Sequence, residues 1–300
     1  MAGSAFMDRL QAYLDGNDHP LEKQLLRAAH YLATEWEFRI IYHMNQGIFG
    51  VEEIKTAIAD EIEEHTNLAG VQKIAMNGKT RKFVDLIGKL RFQKRWSQSP
   101  RMPETSVMGH VLVVAIMGYF CAQYMGACPA RVVNDFLAGL WHDLPEVLTR
   151  DIISPIKRSI EGLDELIKEI EQRQMEEILL PLLPAAWHKD ILNFTVNEFR
   201  NRIWDGGEMI LLSGDIPAQY NADRYSPVDG EVLKGCDHLA AFMEAWLSVQ
   251  CGISSVHLTR VIDELPRQYK GKIVGGIPFG RIYQQFMEDD PASGKGWIVQ

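Results

Sequence analysis

The chain has 300 residues, 46% of them apolar and 24% charged, with a formal net charge of −9. Those proportions suit a globular protein with its own core. The negative balance excludes a general polyanion binder such as a non-specific DNA protein, but leaves room for a small phosphate ligand at a locally positive or metal-bearing site. The four cysteines (Cys121, Cys128, Cys236 and Cys251) show neither CxxC pairing nor zinc-finger spacing, which points to reduced thiols in a cytoplasmic protein. The opening MAGSAFMDRLQAYLDG has no basic start followed by an apolar stretch, so no signal peptide is expected.

In chain order, residues 20–45 place Leu25, Leu26, Ala29, Leu32, Ala33, Trp36 and Ile40 at helical spacing. Residues 51–64 put Val51, Ile54, Ile58 and Ile62 on one stripe with acids opposite, and the polar stretch AMNGKTRK (75–82) is a candidate boundary. Residues 111–126, VLVVAIMGYFCAQYMG, carry no charge. A membrane span needs roughly 20 apolar residues; this shorter run, with Gln123 inside it, reads as a buried central helix. A helix from about Ala130 should turn Val132, Val133, Phe136, Leu137 and Leu140 to the core. It should end near Asp143 or Leu144, because Pro145 lacks an N–H and disfavours helical geometry in the residue before it.

Residues 159–180 are strongly amphipathic through Leu163, Leu166, Ile167, Ile170, Met175, Ile178 and Leu179, and 231–250 repeat the pattern. Strand-like alternation is scarce. Gly/Pro clusters mark loops near 97–103, 125–130, 226–230 and 275–280. The last fifty residues, containing GKIVGGIPFG (271–280), lose the strong helical period and read as an extension. The fold class expected is all-α.

One stretch concentrates ionisable chemistry. Residues 141–157, WHDLPEVLTRDIISPIK, set His142, Asp143, Glu146 and Asp151 on an apolar background, with only Arg150 among the acids. Carboxylates crowded at a helix end repel one another unless something positive sits among them. Imidazole with carboxylate suits a divalent Mn, Fe, Co, Ni or Zn ion. His110, opening the uncharged helix, and Asp237, inside VLKGCDHLAAFMEAWL, also combine an ionisable group with an apolar helical setting. Taken singly, His110 reads more readily as a core or N-terminal helix histidine and Asp237 as a solvated acid.

The order His110, His142–Asp143, Asp237 resembles the H…HD…D ligand pattern of the HD-domain metal-dependent phosphohydrolase superfamily. The run HDLPEVLTRD followed by SPIK is similar to the HDxxEVLTxD, Pro and Lys of its bacterial 5′-deoxynucleotidase branch. That branch also has an Arg-Trp pair shortly before the first histidine, matched by Arg95–Trp96, and KGCD (234–237) resembles its Lys-x-Ala motif before the last ligand. The chain departs from the pattern at Met108–Gly109, where Ser-Glu is usual, and at Cys236, where alanine is usual.

The resemblance covers about residues 91–250 and implies an HD-domain helical bundle, with an added N-terminal helical segment (1–90) and a C-terminal extension (251–300). It implies one divalent transition metal ion (Co, Mn, Fe, Ni or Zn) held by His110, His142, Asp143 and Asp237. Glu146, adjacent to the pair yet spare as a ligand, is the expected general acid/base, and Asp151 is expected to orient the water or the scissile group. Arg95 would bind phosphate oxygens and Trp96 would fill the space of a 2′-hydroxyl; Lys157 adds positive charge nearby or is a surface lysine.

The function implied is a metal-dependent phosphohydrolase acting on nucleotides, a 5′-(deoxy)nucleotidase releasing phosphate from (deoxy)nucleoside monophosphates. The alternatives are a (deoxy)nucleoside triphosphate hydrolase and a non-catalytic HD module for ligand sensing or scaffolding. The expected partners are a small-molecule nucleotide and a second copy of the chain in a homodimer, with no nucleic acid and no membrane.

Overall fold

The computed structural model describes residues 4–16, 18–149 and 162–288. Arg150, Asp151 and Lys157 fall outside the described residues. The described chain divides into two compact units between Ile87 and Gly88, with Pro181–Leu183 counted in the first.

The first unit comprises α1 (Ser4–Asp15), α2 (Pro20–Asn45), α3 (Val51–Glu63), α4 (Ala69–Ala75) and α5 (Lys79–Ile87). Proline at the start of α2 needs no hydrogen-bond partner for its nitrogen, which suits it to that position. The periodic stripe read for α2 is only partly the buried one. Trp36 is buried, but Leu25, Leu26 and Ile40 are exposed, as is Ile54 of α3. Polar contacts with α5 set the rotation of α2: the Trp36 indole donates to Asp85 at 3.0 Å, Arg39 pairs with Asp85 at 2.6 Å and Glu35 with Arg81 at 2.7 Å.

In the second unit, α6 (Val107–Tyr124) and α7 (Pro129–Trp141) form a helical hairpin, followed by the short α8 (Glu146–Thr149). Then come α9 (Leu163–Gln174), running on through a π turn at Met175–Leu179, and α10 (Ala185–Thr195). A hairpin of β1 (Arg202–Asp205) and β2 (Glu208–Leu211) precedes α11 (Gly230–Gln250), α12 (Val256–Tyr269) and α13 (Phe279–Glu288). The all-α expectation holds, with this one small sheet added. The sequence reading did not mark its turn: Asp205 pairs with Glu208 across Gly206 and Gly207, both at positive φ, as a two-residue hairpin loop of type I′ requires.

Helix α6 has the length and hydropathy of a membrane span, and one face of it is buried in the unit: Val107, His110, Val111, Val114, Ala115, Gly118, Cys121 and Ala122. Its outer face leaves Leu112, Val113 and Ile116 exposed. The two hairpin helices touch backbone to backbone. A Cβ on Gly139 would lie 2.8 Å from Ala115 Cα, closer than any real side chain permits.

Helix α7 ends at Trp141, ahead of the expected Asp143 or Leu144, and its inward face differs from the apolar reading. Val133 is 55% exposed, whereas Arg131, Asn134 and Asp135 are buried with Val132. A polar network takes the inner face. Arg131 donates Nε and Nη2 to the two Asp229 oxygens at 2.5 and 2.6 Å, Asp135 accepts the Asp229 backbone N–H at 2.8 Å, and Asn134 donates to Pro227 O at 3.1 Å.

The C-terminal segment also departs from its reading as an extension of weak helical period. Two of its stretches are helical, and its side chains Leu258, Ile277, Phe279 and Tyr283 are completely buried. Ile277, Phe279 and Tyr283 join Val114, Cys121, Cys236 and Phe242 in one cluster, and Leu258 packs in another with Trp96 and Ala245. Phe279 lies against Gly235 so closely that a Cβ there would meet its ring at 2.5 Å. Phe279→Ala should therefore destabilise the protein by about 3–5 kcal/mol, the cost of emptying a buried aromatic site, measured by urea denaturation. A loosely attached extension would show no change in midpoint.

Candidate metal centre

Helix α6 begins at an N-cap, Ser106, whose hydroxyl accepts the Gly109 N–H at 3.1 Å. This puts His110 in the first helical turn, with no exposed surface. His142 follows the last residue of α7. Its Nδ1 lies 2.8 Å from Gly139 O. A carbonyl only accepts, so Nδ1 carries the proton and Nε2 keeps its lone pair. That Nε2 is buried and takes no hydrogen bond, although Asp143 Oδ1 stands 3.2 Å from it, and Asp143 Oδ2 takes none either. One ligand atom each from His110, His142 and Asp143 lie within 4.8 Å of one another. Asp237, on α11, places Oδ1 2.9 Å from His110 Nε2.

Residues singled out from three separate places in the sequence thus come together: His110, His142 and Asp143 as one close group, with Asp237 joined to it through His110. Buried polar atoms normally have partners. Here an imidazole nitrogen without a hydrogen bond stands beside a carboxylate, with the other histidine nitrogen fixed from behind by a carbonyl. That is the arrangement a histidine adopts when one nitrogen is kept for a cation. Two imidazoles and two carboxylates suit a divalent metal ion.

The electrostatics agree. Burial and the nearby Arg95 both work against a charged His110, yet its hydrogen bonds with Asp237 and Glu244 outweigh them and push it up to about 9. At Asp237 and Glu244 burial favours the neutral acid. The hydrogen bond with His110 overcomes that and holds both below the usual carboxylate range, Glu244 at about 2. The pocket calls for positive charge among its carboxylates.

Of the other predicted residues, Glu146 opens α8, its N–H bonded to Asp143 O at 3.0 Å and its side chain buried. Arg95 is anchored by its backbone N–H on Thr105 O at 2.9 Å. Its guanidinium lies 3.9 Å from both Asp143 Oδ2 and Glu244 Oε2. Trp96 is 5% exposed, packed with Ala245 and Leu258. Its indole N–H donates to Glu244 Oε2 at 2.8 Å. Its ring therefore has little free area to serve as the expected wall against a 2′-hydroxyl. Asp151 lies outside the described residues.

Glu244 is the residue that the sequence reading missed. It follows Asp237 by seven residues, two helical turns, which sets both on one face of α11. Its Oε1 stands 3.3 Å from His110 Nδ1. An acid inside FMEAWL, in register with a suspected ligand, was the available signal.

The sequence profile of the HD domain family matches residues 87–266. The chain is an HD-domain protein. The matched region runs past 250 and into α12. The protein is similar to a 5′-deoxynucleotidase of Pasteurella multocida (strain Pm70), 24% identical over 176 residues, which are 57% of this chain and 75% of the relative. It is also similar to 4′-phosphooxetanocin A phosphatase of Priestia megaterium, 21% identical over 224 residues, 72% of this chain and 96% of the relative. Its fold is similar to that of an HD-domain phosphohydrolase of Listeria innocua, with a TM-score of 0.51 at 15% identity, over 71% of this chain and 88% of that one.

The tautomer of His142 can be checked directly. Long-range ¹H–¹⁵N correlation spectra of metal-free protein should show His142 protonated at Nδ1 and bare at Nε2. The opposite pattern would remove the lone pair on which the site depends.

Proposed function

We propose that this HD-domain protein is a metal-dependent phosphohydrolase acting on nucleotides, and that it releases phosphate from (deoxy)nucleoside 5′-monophosphates. The observation that carries this reading is the pair of bare buried atoms, His142 Nε2 and Asp143 Oδ2, beside His110 and Asp237, with a guanidinium within reach. The relatives support it, since their names denote a nucleotidase and a phosphatase.

A phosphate monoester resists hydrolysis because its anionic oxygens repel an attacking oxygen. In this reading His110, His142, Asp143 and Asp237 hold one divalent transition metal ion, of Co, Mn, Fe, Ni or Zn. Such an ion, when bound, supplies positive charge that neutralises the phosphoryl group and acidifies water. Arg95 binds phosphate oxygens through its planar donors, its side chain kept beside the site by Asp143 and Glu244. Glu146, buried three residues beyond Asp143, moves the proton between the attacking water and the leaving oxygen. Asp151 takes the orienting role that the family resemblance implies. The four free cysteines support a reducing cytoplasmic setting, and the exposed Leu25 and Leu26 on α2 support a homodimer.

The test is phosphate release from a panel of deoxy- and ribonucleotides by protein stripped with chelator and reloaded with each ion in turn. Release from monophosphates only in reloaded protein is expected. Absence of ion-dependent release from every nucleotide would overturn the reading. Within that assay, Glu146→Ala should keep its metal content and lose turnover by about a hundredfold or more, the range that general acid–base groups contribute. Arg95→Ala should raise KM for deoxy- and ribonucleotides alike by about tenfold or more, since a charge-assisted hydrogen bond to the shared phosphate is lost. A selective loss for one sugar would instead place Arg95 at the ribose.

A further inference from the structure

We propose that Glu244 is a positioning residue that holds His110 in its metal-binding form, and that the Trp96 indole holds Glu244 in place for this task. The inference rests on the reading of His110 as a ligand. It gives Trp96 a role on the metal side of the site.

Two carboxylates compete for His110. Asp237 Oδ1 is 2.9 Å from Nε2 and Glu244 Oε1 is 3.3 Å from Nδ1. To ligate a metal His110 must be a neutral imidazole, with one N–H and one lone pair, so the proton that remains on the ring sits with one acid or the other. If Asp237 takes it, the proton is on Nε2, the nitrogen facing Asp237, and the ring cannot ligate there. If Glu244 takes it, Nε2 is free, and Asp237 is free with it. Glu244 is therefore the acceptor that makes the metal-ready ring available, and its charge makes that ring a stronger donor.

The second oxygen explains why a carboxylate is needed at 244. Oε2 accepts the Trp96 N–H at 2.8 Å, so two N–H donors converge on one side chain. A carboxylate is acceptor-only and satisfies both. An amide has one acceptor oxygen and must turn its NH₂ toward one of the two donors. The Trp96 bond also restrains the carboxylate from swinging inward to become a ligand itself. The backbone shows how firmly this contact is kept: Trp96 sits at φ +60°, a region that bulky side chains rarely occupy unless their surroundings fix them there. Packing against Ala245 and Leu258 and the bond to Glu244 are those surroundings. Arg101 reinforces the same turn of α11 by donating to Glu244 O at 3.2 Å.

One consequence is a rank order. Chelator-stripped full-length protein is titrated with Co²⁺, and affinity and the ligand-field absorption bands are recorded together. Glu244→Gln should weaken Co²⁺ binding by about 10- to 100-fold, the usual effect of losing a ligand's orienting partner. Trp96→Phe, which removes the N–H and keeps most of the ring, should weaken it in the same direction and by less. At saturation the bands should match the wild type in both variants, because the ligands are unchanged. Wild-type Co²⁺ affinity in both, even with a lowered Tm of the metal-free protein, would reduce Glu244 and Trp96 to a structural role and overturn the inference. Shifted bands in Glu244→Gln would make Glu244 a ligand and overturn it equally. If Glu244→Gln does not fold, Trp96→Phe decides alone. A wild type that takes up no Co²⁺ would refute the ligand reading beneath it, and is distinguished from the other outcomes by that fact.

Discussion

A single missing side chain governs the geometry of the second unit. Gly139 lets α7 approach α6 until backbone meets backbone at Ala115, and any larger residue would force the helices apart. The same residue turns its carbonyl onto His142 Nδ1. Close approach brings the first turn of α6, with His110, beside the end of α7, and the carbonyl decides which imidazole nitrogen faces inward. Packing and chemistry meet in one glycine, so neither can be altered without the other.

Behind that contact lies a layer of buried charge. Arg131, Asp135 and Asp229 are almost fully enclosed, and they tie the middle of α7 to the residues that launch α11. Burial, reinforced by the neighbouring Asp229, raises the Asp135 carboxyl well above its ordinary range. Arg202, with no exposed surface, donates to the carbonyls of Asn193, Asn197 and Arg200, and burial lowers it to about 10. Such networks contribute little net stability compared with an apolar core of the same shape. Their effect here is registration: α11 leaves Asp229 in one orientation, and Asp237 arrives two turns later on the side where His110 waits.

What could be read from the sequence follows from these forces. The His-Asp pair, His110 and Asp237 were legible because ionisable groups stand out in apolar helices, and their coming together needed only the family order. Val133 was misread because periodicity assigns every apolar residue to the core, while the Arg131–Asp229 pair claimed that face. The α2 stripe failed for the same reason, Trp36 and Arg39 having been drawn to Asp85. The last segment hid its core residues because Ile277 is buried from a turn, where no helical period marks it. The place of Trp96 beside Arg95 gave no sign of its hydrogen-bond partner, which lies 148 positions away and is brought to it only by the fold.

That separation bears on how the protein is made. His110 is 127 positions from Asp237 and 134 from Glu244, and the core behind α11 is closed by Ile277, Phe279 and Tyr283. Contacts so distant in sequence form late and slowly, since each requires a long loop to close first. On the ribosome, α6 and α7 emerge with their histidines and acids well before the helix that completes the cluster. The nascent chain thus passes through a period in which half of the site is built, and the segment that closes the core behind it is synthesised only after α11.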